Sequence, residues 1–377
     1  MVVGLAGFAA AQQSTPPWLP GAVPRFTVIR HPGLNVDDAL SQSLAGTTIP
    51  LWNGALPSPS NGYSFVMVGT DPAAGSVSTT VPTVVVPLIF KFHDIDGIHR
   101  LSPTVRACGV KYSAVSLTRK SPIFQSFAFT AGGTALGTTQ YLDAFQRANF
   151  WSDVSTTSPN YHVLLSKTGQ TLAVMVDVPT IDGSSIAGPC ARIGEVDINW
   201  FDNTIVPALL LKMKALKPTV FPIFFSYNVF LTESGSCCVL GYHSEIVNTK
   251  GTQTYAYAAF ADPHIFSAAA VQDIDPLSHE VGEWMDDPLV QTDLNSTPPW
   301  GNLGQVSGCQ NNLEVGDPLS GTGFTITNPA NNFTYHPQDL AFAPWFAQGI
   351  SSSSVNGWYD FTNQFATSAA PCPPGGP

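Results

Sequence analysis

Charge is what this sequence has least of. Of 377 residues only 11% are Asp, Glu, Lys or Arg, against roughly 25% in a typical soluble domain. Lys and Arg number 15 and Asp and Glu 26, for a formal net charge of −11. A chain so poor in cations has no electrostatic footprint for a phosphate backbone, which excludes nucleic acid as a partner. Long apolar runs are missing too. Beyond residue 20 none reaches 18 residues, so the sequence predicts no integral membrane span. There is no Cys-x-x-Cys pair, which removes the usual thiolate zinc and thioredoxin-like arrangements. There is no Gly-x-Ser-x-Gly elbow for a serine hydrolase, no Cys/His nucleophile signature and no internal repeat. Disorder is also excluded, because 44% of the residues are hydrophobic and can build a core.

Ser, Thr, Asn and Gln must therefore wet the surface, and Gly and Pro, at 32 each, break the chain often. Residues 1–11 form a short apolar stretch ending in Ala9-Ala10-Ala11, like a truncated signal peptide before its cleavage site. This predicts a secreted, extracellular protein. The six cysteines, Cys108, Cys190, Cys237, Cys238, Cys309 and Cys372, fit an oxidising compartment and can all pair. Cys237 and Cys238 are adjacent, so each is expected to bond elsewhere.

Residues 12–25 are Pro-rich and extended. A strand is expected over 82–93, and a helix over 138–151, where Tyr141, Leu142, Phe145, Ala148 and Phe150 recur at helical spacing. From residue 170 the order is clearer. A strand over 170–179 precedes a helical stretch over 197–216, restarted at Pro207. Strands over 220–231, 238–247 and 252–261 follow. A helix then starts at Asp275-Pro276, with Asp275 as its cap and Pro276 in its first turn. The expected division is a leader over 1–11, a β-rich N-terminal region over 12–169, a metal-binding domain over 170–350 and a tail over 351–377.

That last helix reads Asp275-Pro276-Leu277-Ser278-His279-Glu280-Val281-Gly282-Glu283-Trp284-Met285-Asp286-Asp287-Pro288. His279 and Glu283 are four apart and share one face, so both can reach one metal ion. Glu280 sits about 100° further round the helix, beside the ion's open position. A third ligand is offered by Glu314, in Cys309-Gln310-Asn311-Asn312-Leu313-Glu314-Val315-Gly316-Asp317. Asp317 can bond a ligating imidazole and fix its orientation. His336, in Tyr335-His336-Pro337-Gln338-Asp339, offers a further ligand or an oxyanion stabiliser; the plainer reading is a loop histidine bonded to backbone. His243 and Tyr242 fall on a predicted strand, where a substrate can pair with a sheet edge.

These residues resemble the zincin metallopeptidases, and more narrowly the gluzincins, whose helix carries His-Glu-x-x-His and whose later helix supplies a glutamate. The resemblance covers roughly residues 170–340. It implies an α+β fold: a zincin-like core of mixed sheet with a backing helix and an active-site helix, preceded by the β-rich N-terminal region. It implies His279, Glu283 and Glu314 as metal ligands, Glu280 as general base on a metal-bound water, and Asp317 behind the ligands. Glu283 stands where the family has its second histidine. A second, looser resemblance is to secreted phosphate-induced, exordium-like proteins. They carry a similar His-Glu-x-x-Glu, an Asp-Pro soon after, and a later Glu-x-x-Asp.

The expected cofactor is Zn²⁺. Two glutamates and one histidine leave a Zn²⁺ site formally neutral and harder than usual, which admits Mn²⁺ or Ca²⁺. The function expected is a secreted metal-dependent hydrolase, a zinc endopeptidase acting on a protein or peptide substrate. The alternatives are a secreted, non-catalytic, metal-stabilised binding or cell-envelope protein, and a hydrolase of an ester or glycan with the same ligands.

Overall fold

The period-2 alternation of side chains along a strand decides how this chain divides its core. The computed structural model describes residues 18–19, 21–56, 63–166, 172–290 and 298–372. The expected leader, most of the Pro-rich segment and the last residues of the tail lie outside these. Ten strands form one mixed sheet: β1 (Arg25–Ile29), β2 (Thr83–Asp94), β3 (Gly97–Leu101), β4 (Val174–Asp177), β5 (Gly183–Ile186), β6 (Ile193–Asp197), β7 (Phe221–Tyr227), β8 (Val229–Glu233), β9 (Ser236–Asn248) and β10 (Gly251–Phe260). They run in the order β4-β2-β7-β10-β9-β8-β6-β5, with β3 paired to β2 and β1 to β9. β2, β7 and β10 are mutually parallel, and β9 and β10 form a long antiparallel hairpin.

The central strands are buried on both faces. Phe224, Tyr242, Tyr255 and Tyr257 point into one apolar cluster, with Val86, Leu88, Phe90 and Phe92 of β2. Their neighbours Ile223, Phe225, Ala256 and Ala258 point into another. Adjacent residues must face opposite sides of a sheet, so the two clusters lie on the two faces. The first face holds the helical stretch from Ile198 through the π turn Phe201–Ile205 to α2 (Val206–Lys212), whose Phe201, Val206, Leu209 and Leu210 fill that side. The second face carries α3 (Asp275–Asp286), packed on β9 and β10. Trp284 of α3 stacks flat on Phe221 of β7, with ring centroids 3.5 Å apart. Behind α3 lies α1 (Tyr141–Asn149), and its Gln146 donates to Asp286 at 2.7 Å.

The sheet also curls. The Asp94 carboxylate at the end of β2 accepts from the backbone and hydroxyl of Ser185 in β5, at 2.9 and 2.5 Å. On β6, Gly194 lies so close to the Phe92 ring that a Cβ there would be 2.6 Å from it. The two ends of the strand order thus approach each other, and the sheet is nearly a barrel.

This corrects the expected fold class. The chain is mostly β, at 35% strand and 20% helix, and it is not a helix-backed zincin core. Two physical reasons account for the difference. β1 and β2, from the region expected to precede the core, are strands of the same sheet. The 197–216 helix packs on the face away from α3. Two smaller readings change as well. The strand expected over 220–231 breaks at Asn228, whose φ of 52° is left-handed, so β7 and β8 join different neighbours. Asp275 is the first residue of α3 rather than its cap.

Three disulfides are present. Cys108 bonds Cys190 and Cys309 bonds Cys372, which ties down the C-terminal segment. Cys237 and Cys238 bond each other, against expectation, because the other four cysteines are already paired.

Candidate metal centre

All 12 residues of α3 are buried. A helix in that position should be apolar all round, yet this one carries His279, Glu280, Glu283 and Asp286 into the interior. Two other segments meet it. One is the loop with Glu314 and the 3₁₀ turn Asp317–Leu319. The other is β9, whose Gly241 and His243 face α3. Gly241 is needed there, since a Cβ would sit 2.5 Å from the Glu280 Cγ.

The His279 ring is clamped. Phe26 of β1 stacks on one face, with centroids 3.5 Å apart. The backbone of Gly316 covers the ring so closely that a Cβ would lie 2.5 Å from Nδ1. Gln338 donates its amide to the Gly316 carbonyl at 2.6 Å, so its oxygen faces His279 Nδ1 at 2.9 Å. That oxygen only accepts, so Nδ1 carries a proton, and Nε2 is the nitrogen turned to the carboxylates. His279 Nε2 lies 2.9 Å from Glu283 Oε1 and 3.6 Å from Asp317 Oδ1, and makes no hydrogen bond.

His243 is held in the same manner. Its Nε2 bonds the Asp287 carbonyl at 3.1 Å, which again fixes the proton there. Its Nδ1 faces Glu280 Oε2 at 3.3 Å and Glu283 Oε2 at 3.8 Å. Glu283 is fixed by the Gly316 and Asp317 N–H groups, which donate to Oε1 at 3.1 and 3.2 Å. Two sets of ligand atoms lie close enough to share an ion: His279, Glu283 and Asp317, and His243, Glu283 and Glu314.

Among the described residues, the ion-pair partners of Glu280, Glu283, Glu314 and Asp317 are His243 and His279 alone. Burial pushes Glu280 and Glu314 well above the usual carboxylate range, and the charge of Glu283 adds to it. Burial and Glu283 likewise push Asp317 up to about 8. Burial also opposes charge on Glu283, but His279, whose own pKa Glu283 raises against burial, outweighs it and holds this one group below its ordinary value. Burial drives His243 down to about 4, leaving it neutral. One anion and its crowded neighbours are what the protein can sustain without an added cation. Glu280 Oε1 and Glu314 Oε1 have no hydrogen-bond partner.

The structure brings His279, Glu280, Glu283, Glu314 and Asp317 together. It exchanges two positions: Asp317 lies with His279, in direct reach of a shared ion, and Glu314 lies with His243. His336 does not join them. Its Nδ1 bonds Asp273 Oδ2 at 2.6 Å, and its backbone N–H donates to the same carboxylate. Sequence reasoning placed His243 at a sheet edge rather than in this cluster, and missed Gln338 as the clamp. His243 could have been found from the strand alternation that turns Gly241 and His243 to one face. Gln338 sits two residues beyond the histidine that drew notice instead.

A cleft of about 1020 Å³ reaches the cluster at Glu314 and Asp317, and is lined also by Arg25, Phe26, Gln305 and Gln310. Its wall is β1, which among the described residues pairs with β9 alone. On the other side the Gln305 amide donates to the Phe26 carbonyl at 3.1 Å and accepts from its N–H at 2.7 Å. The same amide reaches Asp317 Oδ1. No described helix is long and apolar enough to cross a membrane. Set against known proteins, the chain matches no protein-family model, no curated protein and no solved structure.

Proposed function

We propose that this protein is a metal-dependent hydrolase acting on an extended polypeptide. One observation carries the reading: two clamped imidazoles turn their second nitrogens towards buried carboxylates, two of which, Glu314 and Asp317, line an open cleft. Buried ionisable groups of this kind are otherwise costly and need a cation to balance them. Imidazole and carboxylate donors suit Zn²⁺ or Mn²⁺. A divalent ion held there supplies a Lewis acid that polarises a carbonyl and acidifies water.

The chain's own residues divide the remaining work. Glu283, Asp317, Glu314 and the two histidines hold charge and position. Glu280 belongs to neither set of ligand atoms and keeps an oxygen without a partner, so it is the group available to take a proton. The peptide reading rests on β1. The Gln305 amide bonds both backbone groups of Phe26 as a neighbouring strand would, and it ends beside Asp317. A substrate amide in its place would lie along β1 next to the cluster. Three disulfides support secretion into an oxidising compartment.

Hydrolysis of an unstructured, fluorescence-quenched polypeptide tests the proposal. Cleavage is expected to stop on treatment with a chelator and to return with Zn²⁺ or Mn²⁺. Cleavage that survives chelation overturns the metal mechanism. If chelation lowers the melting temperature but no cleavage is ever seen, the non-catalytic, metal-stabilised reading replaces this one.

A further inference from the structure

We infer that the cluster is a two-cation centre in which the Glu283 carboxylate bridges the two ions. The inference rests on the metal reading above and goes beyond it in the number of ions and the role of Glu283.

The two sets of ligand atoms, His279/Glu283/Asp317 and His243/Glu283/Glu314, share Glu283 and nothing else. Among the described residues, no close set contains both histidines, so one ion does not serve both imidazoles. The two oxygens of Glu283 are divided between them. Oε1 faces His279 Nε2 at 2.9 Å, and Oε2 faces His243 Nδ1 at 3.8 Å. A carboxylate presenting one oxygen to each of two ligand sets has the arrangement of a bridge rather than of a terminal ligand.

Both histidines are prepared alike. Each gives its N–H to an oxygen that only accepts, Gln338 Oε1 for His279 and the Asp287 carbonyl for His243, which turns the other nitrogen of each to the shared Glu283. A histidine meant only to fill the core needs no such preparation. His279 Nε2 and Glu314 Oε1, one from each set, are fully buried atoms with no hydrogen-bond partner, so each set has its own ligand atom waiting.

Charge points the same way. Glu280, Glu283, Glu314 and Asp317 are all buried, and among the described residues their ion-pair partners are imidazoles alone. A single divalent ion would leave two of these four carboxylates uncompensated in the interior. Two divalent ions balance all four.

Metal content of the purified full chain is the test. The protein is loaded with Mn²⁺ or Zn²⁺, freed of excess metal, and assayed for ions per chain by mass spectrometry. The Mn²⁺ form is also examined by electron paramagnetic resonance. Two ions per chain and a spin-coupled Mn²⁺ spectrum are expected. His243→Ala and His279→Ala should each fall to one ion, with the uncoupled six-line spectrum of isolated Mn²⁺. One ion per wild-type chain, with an uncoupled spectrum, overturns the bridge and leaves the hydrolase proposal standing. No stoichiometric ion at all overturns both. The wild-type measurement decides the matter even if a variant fails to fold.

Discussion

Replacing Glu280 with glutamine is expected to lower the kcat/KM of polypeptide hydrolysis by about 10²–10⁴-fold while leaving the bound metal in place. Glutamine has the size of glutamate, which matters because Gly241 leaves no room for a bulkier or displaced side chain. It cannot take up a proton at neutral pH. Glu280 stands outside both sets of ligand atoms, so the exchange removes a base and spares the ligands. Activity and metal content are to be measured on the same preparation. Undiminished turnover would show that Glu280 is not the base. Loss of metal along with turnover would make it a ligand instead.

Trp284→Ala should produce the largest loss of stability. Trp284 is fully buried, lies flat on Phe221, and donates its indole N–H to Thr254 Oγ1 at 3.0 Å. It is the residue after Glu283, so it keys the Glu283 turn of α3 into the sheet. Truncating a buried tryptophan costs about 3–5 kcal/mol through lost burial and the cavity left behind. Urea or guanidinium unfolding would measure this, and Trp284→Phe should recover part of it. A loss below about 1 kcal/mol, the ordinary effect of a point mutation, would mean that the α3 interface relaxes around the gap and that Trp284 does not set the helix in place.

The helix of the site was legible in the sequence because its signals are local. Asp275-Pro276 marks a helix start, and the spacing of His279 and Glu283 follows from 3.6 residues per turn. The strands β9 and β10 were legible for the same reason. What could not be read was which strands meet. β1 lies more than 200 residues before its partner β9, and nothing in the Arg25–Ile29 segment names that partner. Because β1 brings Phe26 onto His279 and forms the wall of the cleft, the missing pairing hid part of the site as well as part of the fold. The curl of the sheet was hidden in the same way, since it depends on contacts such as Asp94 with Ser185 that join remote strands. His243 shows an intermediate case. Its strand was correctly expected, and its face follows from alternation, but only the packing of α3 against that face gives it a role. The assignment of Glu314 and Asp317 turned on three residues of loop geometry, where spacing alone gives no direction.

Electrostatics adds a constraint that composition only hinted at. In a chain where 11% of residues are charged, a group of buried acids around two histidines is a large share of the total. Their burial makes the cluster a weakness of the metal-free fold and a source of stability once a cation is bound.

The most direct measurement is an anomalous difference map from crystals grown with Zn²⁺ and recorded at the zinc edge. The account predicts strong density between His279, Glu283 and Asp317, and a second peak between His243, Glu283 and Glu314. A map with no anomalous density in this cluster would contradict it. So would zinc bound only at a surface group such as Asp94, Asp96 and His99.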